Sequence, residues 1–225
     1  MSQVATLYRS TVGKKILMAL TGLFLFLFIV GHMLGNLKVF EGSEAFNAYA
    51  EGIRTFGYPF IPEYGFLWLA RLLLLGAVGV HIMAAVQLWQ RSRGARGTGY
   101  RKETNLSFSY ASRTMRWGGV LIALFVIYHI LHMTTGQAHP DFVYGDVYAN
   151  FVVGFSNPLV VGFYLAAQIA LCLHLYHGVW SVTQSIGASH PKYDRWRRPV
   201  AGAFAFGILF GFMVPPLAVL LGLLS

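Results

Sequence analysis

The sequence predicts an all-α integral membrane protein, with five transmembrane helices forming one bundle over residues 1–225. Three observations predict it. Of the 225 residues, 56% are hydrophobic and only 11% charged, against roughly 25% charged in a soluble domain. Five apolar runs each reach the roughly 20 residues that a helix needs to cross a hydrocarbon core. Cations collect in alternate connections and acids in the others. The length suits one bundle rather than two domains. A single cysteine, Cys172, lies inside an apolar run, so neither an internal disulfide nor a Cys-rich metal site can form. A formal charge of +9 would point to nucleic acid in a soluble protein; here the loop asymmetry accounts for it.

The first helix is predicted over residues 16–37, after a basic start containing Arg9, Lys14 and Lys15. It is too long for a signal-peptide core and lacks a small-residue cleavage pattern, so it is read as a retained span. Residues 38–64 form an acidic connection. Within it Phe46, Tyr49, Ala50 and Ile53 recur at helical spacing, which predicts a short amphipathic helix at the interface. Tyr58-Pro-Phe-Ile-Pro62 ends that segment. The second helix is predicted over 64–90 and the third over 113–134, separated by a basic, Gly-rich loop. Residues 135–156 read as a polar, aromatic connection. The fourth helix is predicted over 157–186, with Pro158 in the first turn where its missing N–H costs nothing. After another basic loop, the fifth is predicted over 199–224, with Pro215-Pro216 kinking its end.

Every Lys and Arg except Lys38, Arg54 and Arg71 falls on the face formed by residues 1–15, 91–116 and 187–198. Every acid except Glu103 and Asp194 falls on the opposite face. The positive-inside rule therefore places the N-terminus in the cytoplasm and, after five spans, the C-terminus outside; a bacterial cytoplasmic membrane is the expected location. Binding of anionic lipid is the ordinary use of such basic loops.

Ionisable rings inside spans are costly and mark functional sites. His32, His81, His129 or its neighbour His132, and His174 or its neighbour His177 place one on each of the first four helices. With 1.5 Å of rise per residue, His32 and His129 lie about 9 and 10 Å from the outer end. His81 and His174 lie about 27 and 24 Å from it. The rings thus form two layers roughly 15 Å apart, with two helices contributing to each. Two imidazoles from opposed helices are the ligand set of a six-coordinate b-type haem, so the spacing predicts two haems. Zinc would call for three or four ligands at one depth, and a proton relay for carboxylates that these helices lack. A single core histidine is more often hydrogen-bonded to a neighbouring helix than bound to metal; four in two depth-matched pairs are harder to explain that way. Gly22, Gly31, Gly35, Gly76, Gly79, Gly118 and Gly119 admit either a macrocycle or, more commonly, close helix packing.

Several motifs now carry a resemblance. Gly31-His-Met-Leu-Gly-Asn36, Glu44-Ala-Phe-Asn47, Val80-His81, Ser112-Arg-Thr-Met-Arg116, Tyr128-His129 and His174-Leu-Tyr-His-Gly-Val-Trp-Ser181 occur in this order. Together they resemble the cytochrome b558 membrane-anchor subunit of succinate dehydrogenase and fumarate reductase (succinate:quinone oxidoreductase), of the five-helix dihaem type, over essentially the whole chain. The resemblance implies His32 and His129 as ligands of the distal, outer haem iron, and His81 and His174 as those of the proximal, inner one. His132 and His177 then become candidates for contacts around the haems or quinone, with plain packing as the simpler role.

The resemblance also implies partners. A flavoprotein with covalent FAD would oxidise succinate, and an iron–sulfur subunit would pass the electrons to this chain from the cytoplasmic side. This chain has no dinucleotide fingerprint and no cysteine cluster. It would anchor the complex and pass electrons through two haems b to quinone, with menaquinone expected, and could not oxidise succinate alone. Glu63 is the candidate carboxylate for quinone protonation. Relatives with a helix-borne glutamate two residues before the last ligand have Cys172 there in this chain, which puts that proton route in doubt. Arg71, about 12 Å deep, is level with the outer layer, where a propionate would pair with it unless it snorkels to the interface. Arg113, Arg116 and Trp117 stand where inner propionates or quinone would meet the third helix. Two other readings remain: the dihaem cytochrome b subunit of a hydrogenase or formate dehydrogenase, and a haem-free transporter with a histidine relay.

Overall fold

The computed structural model describes residues 9–95, 110–185, 187 and 190–225, with side chains left out for 110–114 and 191. All regular structure among the described residues is helical. Seven α-helices are numbered here α1 (Thr11–Leu37), α2 (Ser43–Arg54), α3 (Gly65–Gly94), α4 (Tyr110–Met133), α5 (Val147–Phe155), α6 (Pro158–Ser185) and α7 (Pro191–Leu220), and a 3-10 turn, Lys38–Glu41, follows α1. The five longest are long and apolar enough to cross a membrane.

Local chemistry sets the ends. Ser10 caps α1 by accepting the Gly13 amide at 2.9 Å, which starts the helix five residues before the expected position. Asp146 caps α5 by accepting the Ala149 amide at 3.0 Å. That helix lies inside the stretch expected to be a plain connection. Its sequence, Val-Tyr-Ala-Asn-Phe-Val-Val-Gly-Phe, is apolar nearly all round and too short to show a period. The fifth span starts at Pro191 rather than Pro199, because His190 accepts the Lys192 amide and proline suits a first helical turn. It continues through Pro199, Pro215 and Pro216 and stops at Leu220, four residues short of expectation.

α1 packs on α3, α4 on α6, α6 on α7, and α7 back on α1. α2 and α5 pack together across one end of the bundle. Their cluster of Val39, Phe46, Phe151, Phe155, Val161, Tyr164 and Val219 is buried. The buried Phe46 shows which face the amphipathic α2 turns to the protein. Many large apolar side chains remain exposed on the long helices, among them Leu72, Leu124 and Phe210; lipid tails are the solvent such a surface needs.

The two ends differ in charge. At the α2–α5 end Asn47 donates to Asp146 at 3.0 Å, and the Tyr148 hydroxyl donates to the Ser225 carbonyl at 3.3 Å. This places the end of the chain beside α5. At the opposite end Arg91 reaches the Thr11 hydroxyl and the Arg9 carbonyl, and Lys14 donates to Gln87. Arg198 stands over the Trp180 ring at 5.6 Å.

Candidate functional site

Two pairs of histidines meet in the bundle. The His32 and His129 rings have centroids 5.8 Å apart, at 77° to one another. Those of His81 and His174 are 6.2 Å apart at 57°. Neither α1 with α4 nor α3 with α6 is among the closely packed helix pairs, so each pair of rings bridges helices that otherwise stand apart. All four rings are half-buried.

The layer spacing can be counted on two helices. On α1, Thr21 touches His81 and His32 meets His129; eleven residues of helix make that about 16 Å. On α6, Tyr164 touches His129 and His174 meets His81; ten residues make that about 15 Å.

One ring of each pair is held by a hydroxyl. Thr21 Oγ1 lies 3.2 Å from His81 Nδ1 and donates its own proton to the Leu17 carbonyl at 2.8 Å. Its oxygen therefore faces His81 as an acceptor, which puts the ring proton on Nδ1 and leaves Nε2 bare. A Cβ on Gly22 would come within 3.2 Å of His81 Cε1, so the absence of a side chain there lets the ring lie against α1. In the outer pair, the Tyr164 hydroxyl lies 3.2 Å from His129 Nδ1. His32 stacks on Phe28 with centroids 5.3 Å apart, and His129 on Phe125 at 5.7 Å.

The donor set suits some groups and not others. Among the described residues no three or more His, Cys, Asp or Glu converge as metal ligands, which does not suit a tetrahedral zinc site. Two imidazoles per layer suit an ion that takes the rest of its coordination from a macrocycle. Two imidazole–metal bonds of about 2 Å, plus about 1 Å from each nitrogen to its ring centre, make roughly 6 Å between centroids. The observed separations are of that size. His174 Nδ1 is also buried with no hydrogen-bond partner among the described residues, an uncommon condition that a bound polar group explains.

The other expected residues are scattered. His132 is fully buried, with Nδ1 2.9 Å from the Tyr164 hydroxyl. His177 sits edge-on to Trp180 at 5.2 Å, and its Nδ1 is buried without a partner among the described residues. The Arg71 guanidinium lies over the Trp68 ring at 5.0 Å, while Trp68 itself is exposed. Arg116 stands over Trp89 at 5.7 Å. Trp117 faces outward, 79% exposed, and is not brought to either pair. Glu63 is exposed in the turn before α3. Arg113 belongs to α4, and its side chain lies outside the described residues.

Sequence reasoning missed Thr21, Tyr164 and the buried Gln168, whose Oε1 has no partner among the described residues. A lone Thr or Tyr in an apolar helix carries no signal until the partner helix is known. It also missed an outer cleft of about 380 Å³ lined by His132, Gln137, His139, Gly154 and Asn157.

Among the described residues, then, five helices of membrane-crossing length and apolarity bring together two imidazole pairs, a donor set of the kind that can hold a metal macrocycle inside a helical bundle. In sequence, the chain is similar to the succinate dehydrogenase cytochrome b558 subunit of Bacillus subtilis (strain 168), 22% identical over 165 residues covering 72% of each chain. No protein-family model and no solved structure matches it.

Proposed function

We propose that the chain is the dihaem cytochrome b membrane anchor of a succinate:quinone oxidoreductase, carrying electrons from a peripheral iron–sulfur partner to a membrane quinone, with menaquinone expected. The observation that supports this best is the pair of imidazole pairs on four helices, about 15 Å apart along the bundle. The similarity to a succinate dehydrogenase cytochrome b558 subunit points to the kind of complex.

His32 and His129 would hold the outer haem, and His81 and His174 the inner one. When bound, the haems supply one-electron redox centres, one towards each face. The chain's own residues do the rest. Thr21 and Tyr164 hold Nδ1 of His81 and His129, orienting the rings and raising their basicity as ligands. Phe28 and Phe125 stack on the outer pair and keep water from it.

The basic end, with Arg91, Arg116 and Arg198, is the cytoplasmic face on which the flavoprotein–iron–sulfur pair would dock. Arg113 and Arg116 stand at that end as candidates for inner propionate or quinone contacts, the outward-facing Trp117 as a candidate only for quinone approaching from the lipid, and His177 sits beside Trp180. Arg71 is the candidate partner of an outer propionate, and Glu63 the candidate carboxylate for quinone protonation at the acidic end.

The test is to purify the chain with its co-expressed complex and quantify haem by dithionite-reduced spectra. Two haems b per chain, with a co-purifying flavoprotein, is the expected result. No haem, or a nickel or molybdenum enzyme as partner, overturns the reading.

A further inference from the structure

The Tyr164 hydroxyl is shared by two rings, and it has one proton of its own to give to only one of them. His129 Nδ1 lies 3.2 Å from it and His132 Nδ1 lies 2.9 Å from it. A phenol has a single proton to give, and a neutral imidazole carries its proton on one nitrogen only. Donation by both rings to the phenol oxygen would leave the buried phenol proton without an acceptor among the described residues; two arrangements satisfy both contacts and use that proton. In one, His129 Nδ1–H donates to Tyr164 and Tyr164 donates to His132 Nδ1. In the other, every bond is reversed.

Two observations select the first. O–H donors make shorter hydrogen bonds than N–H donors, and the shorter contact is the one to His132. The reverse arrangement would also put a proton on His129 Nε2, the nitrogen an iron would need. The consequence passes to the second ring: with Nδ1 accepting, a neutral His132 must carry its proton on Nε2. That atom is buried without a partner among the described residues, and His132 lines the outer cleft. The neighbouring His139 cannot take the proton, since its Nε2 bonds the Asn150 carbonyl and its Nδ1 accepts the Asp141 amide. Gly154 keeps the space at the ring open, for a Cβ there would come within 3.1 Å of His132 Cε1.

We infer that Tyr164 is the positioning residue of the outer pair, fixing His129 with a bare Nε2 for iron and, through the same hydroxyl, making His132 an N–H donor at the outer cleft. Burial holds the phenol in place: Tyr164 is 5% exposed and sits edge-on to Phe125 at 5.0 Å and to Phe155 at 4.8 Å. The inference rests on the haem reading of the site.

Tyr164→Phe keeps the ring and removes the hydroxyl. An imidazole whose N–H is hydrogen-bonded is the more basic ligand and favours ferric iron. In a complex titrated at one fixed pH, the variant should retain both haems. The outer midpoint potential should rise and the outer low-spin EPR signal should shift, while the inner haem matches wild type. Unchanged outer potential and EPR, in a protein whose wild type carries two haems, overturn this inference alone. A wild type without an outer haem overturns the function and this inference with it. Should Tyr164→Phe lose the outer haem, His132 variants decide. His132→Leu removes the acceptor for the Tyr164 proton and should raise the outer potential; His132→Asn, whose side-chain oxygen can replace Nδ1, should restore it. Equal potentials in the two variants and wild type overturn the inference.

Discussion

Thr21 Oγ1 lies 3.2 Å from Nδ1 of His81, and its proton is already committed to the Leu17 carbonyl. The contact joins α1 to α3 across the inner layer, and the hydroxyl can only accept. Thr21→Val keeps the volume and removes the acceptor. The inner haem's midpoint potential should then rise while the outer haem's stays put. Redox titration of the purified complex reads both, and an inner potential equal to wild type would assign the hydroxyl to α1 alone.

His32 and His129 are expected to share one iron, so losing either ring should produce one and the same defect. In both His32→Ala and His129→Ala the outer haem is absent and the inner one is spectrally present. The reason is geometric, because His32 and the inner layer are separated by about 16 Å of helix. Midpoint potentials of the remaining haem identify it. Two mutants that lose different haems would break the two-layer arrangement.

Of the two histidines near the inner end of α6, His174 is the one beside His81, while His177 faces Trp180. His174→Ala should remove the inner haem and His177→Ala should keep both. Haem quantitation separates them, and the opposite pattern would reverse the assignment.

Asp146 caps α5, and the Ala149 amide and the Asn47 side chain hold its carboxyl below the usual carboxylate range. Its native pKa lies below the unfolded value, so its contribution is fully present above that unfolded value. It is lost as pH falls through the native one. Asp146→Ala should cost about 1 kcal/mol. Thermal melts in detergent should show the largest gap between variant and wild type near neutral pH, shrinking in strong acid. A gap that grows on acidification would contradict the cap.

If the basic end faces the cytoplasm, as proposed, an odd number of spans puts the C-terminus outside. A reporter fused after Ser225 should be active only on the outer side of the membrane. Activity on the cytoplasmic side would reject the span count or the orientation.

Much of this architecture can be read from residue order because lipid imposes simple rules. Spans must be apolar and of a set length, and α6, Pro158–Ser185, differs by one residue at each end from its expected range. The constant rise of a helix then converts positions such as His32 and His81 into depths. The failures fall where those rules say nothing. α5 is too short and too evenly apolar to announce itself. The early start of α7 depends on a cap at His190.

Apolar length, charge asymmetry and histidine depth are properties of single helices, so the sequence by itself determined the all-helical class, the five spans and the two layers. Contacts between helices were decided only by the tertiary structure. It turned His129 towards His32 and buried His132 beside His139. It set Thr21 on His81 and put the one Tyr164 hydroxyl between two rings. The physical reason is that a hydrogen bond needs its partner within about 3 Å and correctly aligned. Those partners stand 32 to 60 positions away in the chain, on helices whose rotation no periodic pattern specifies.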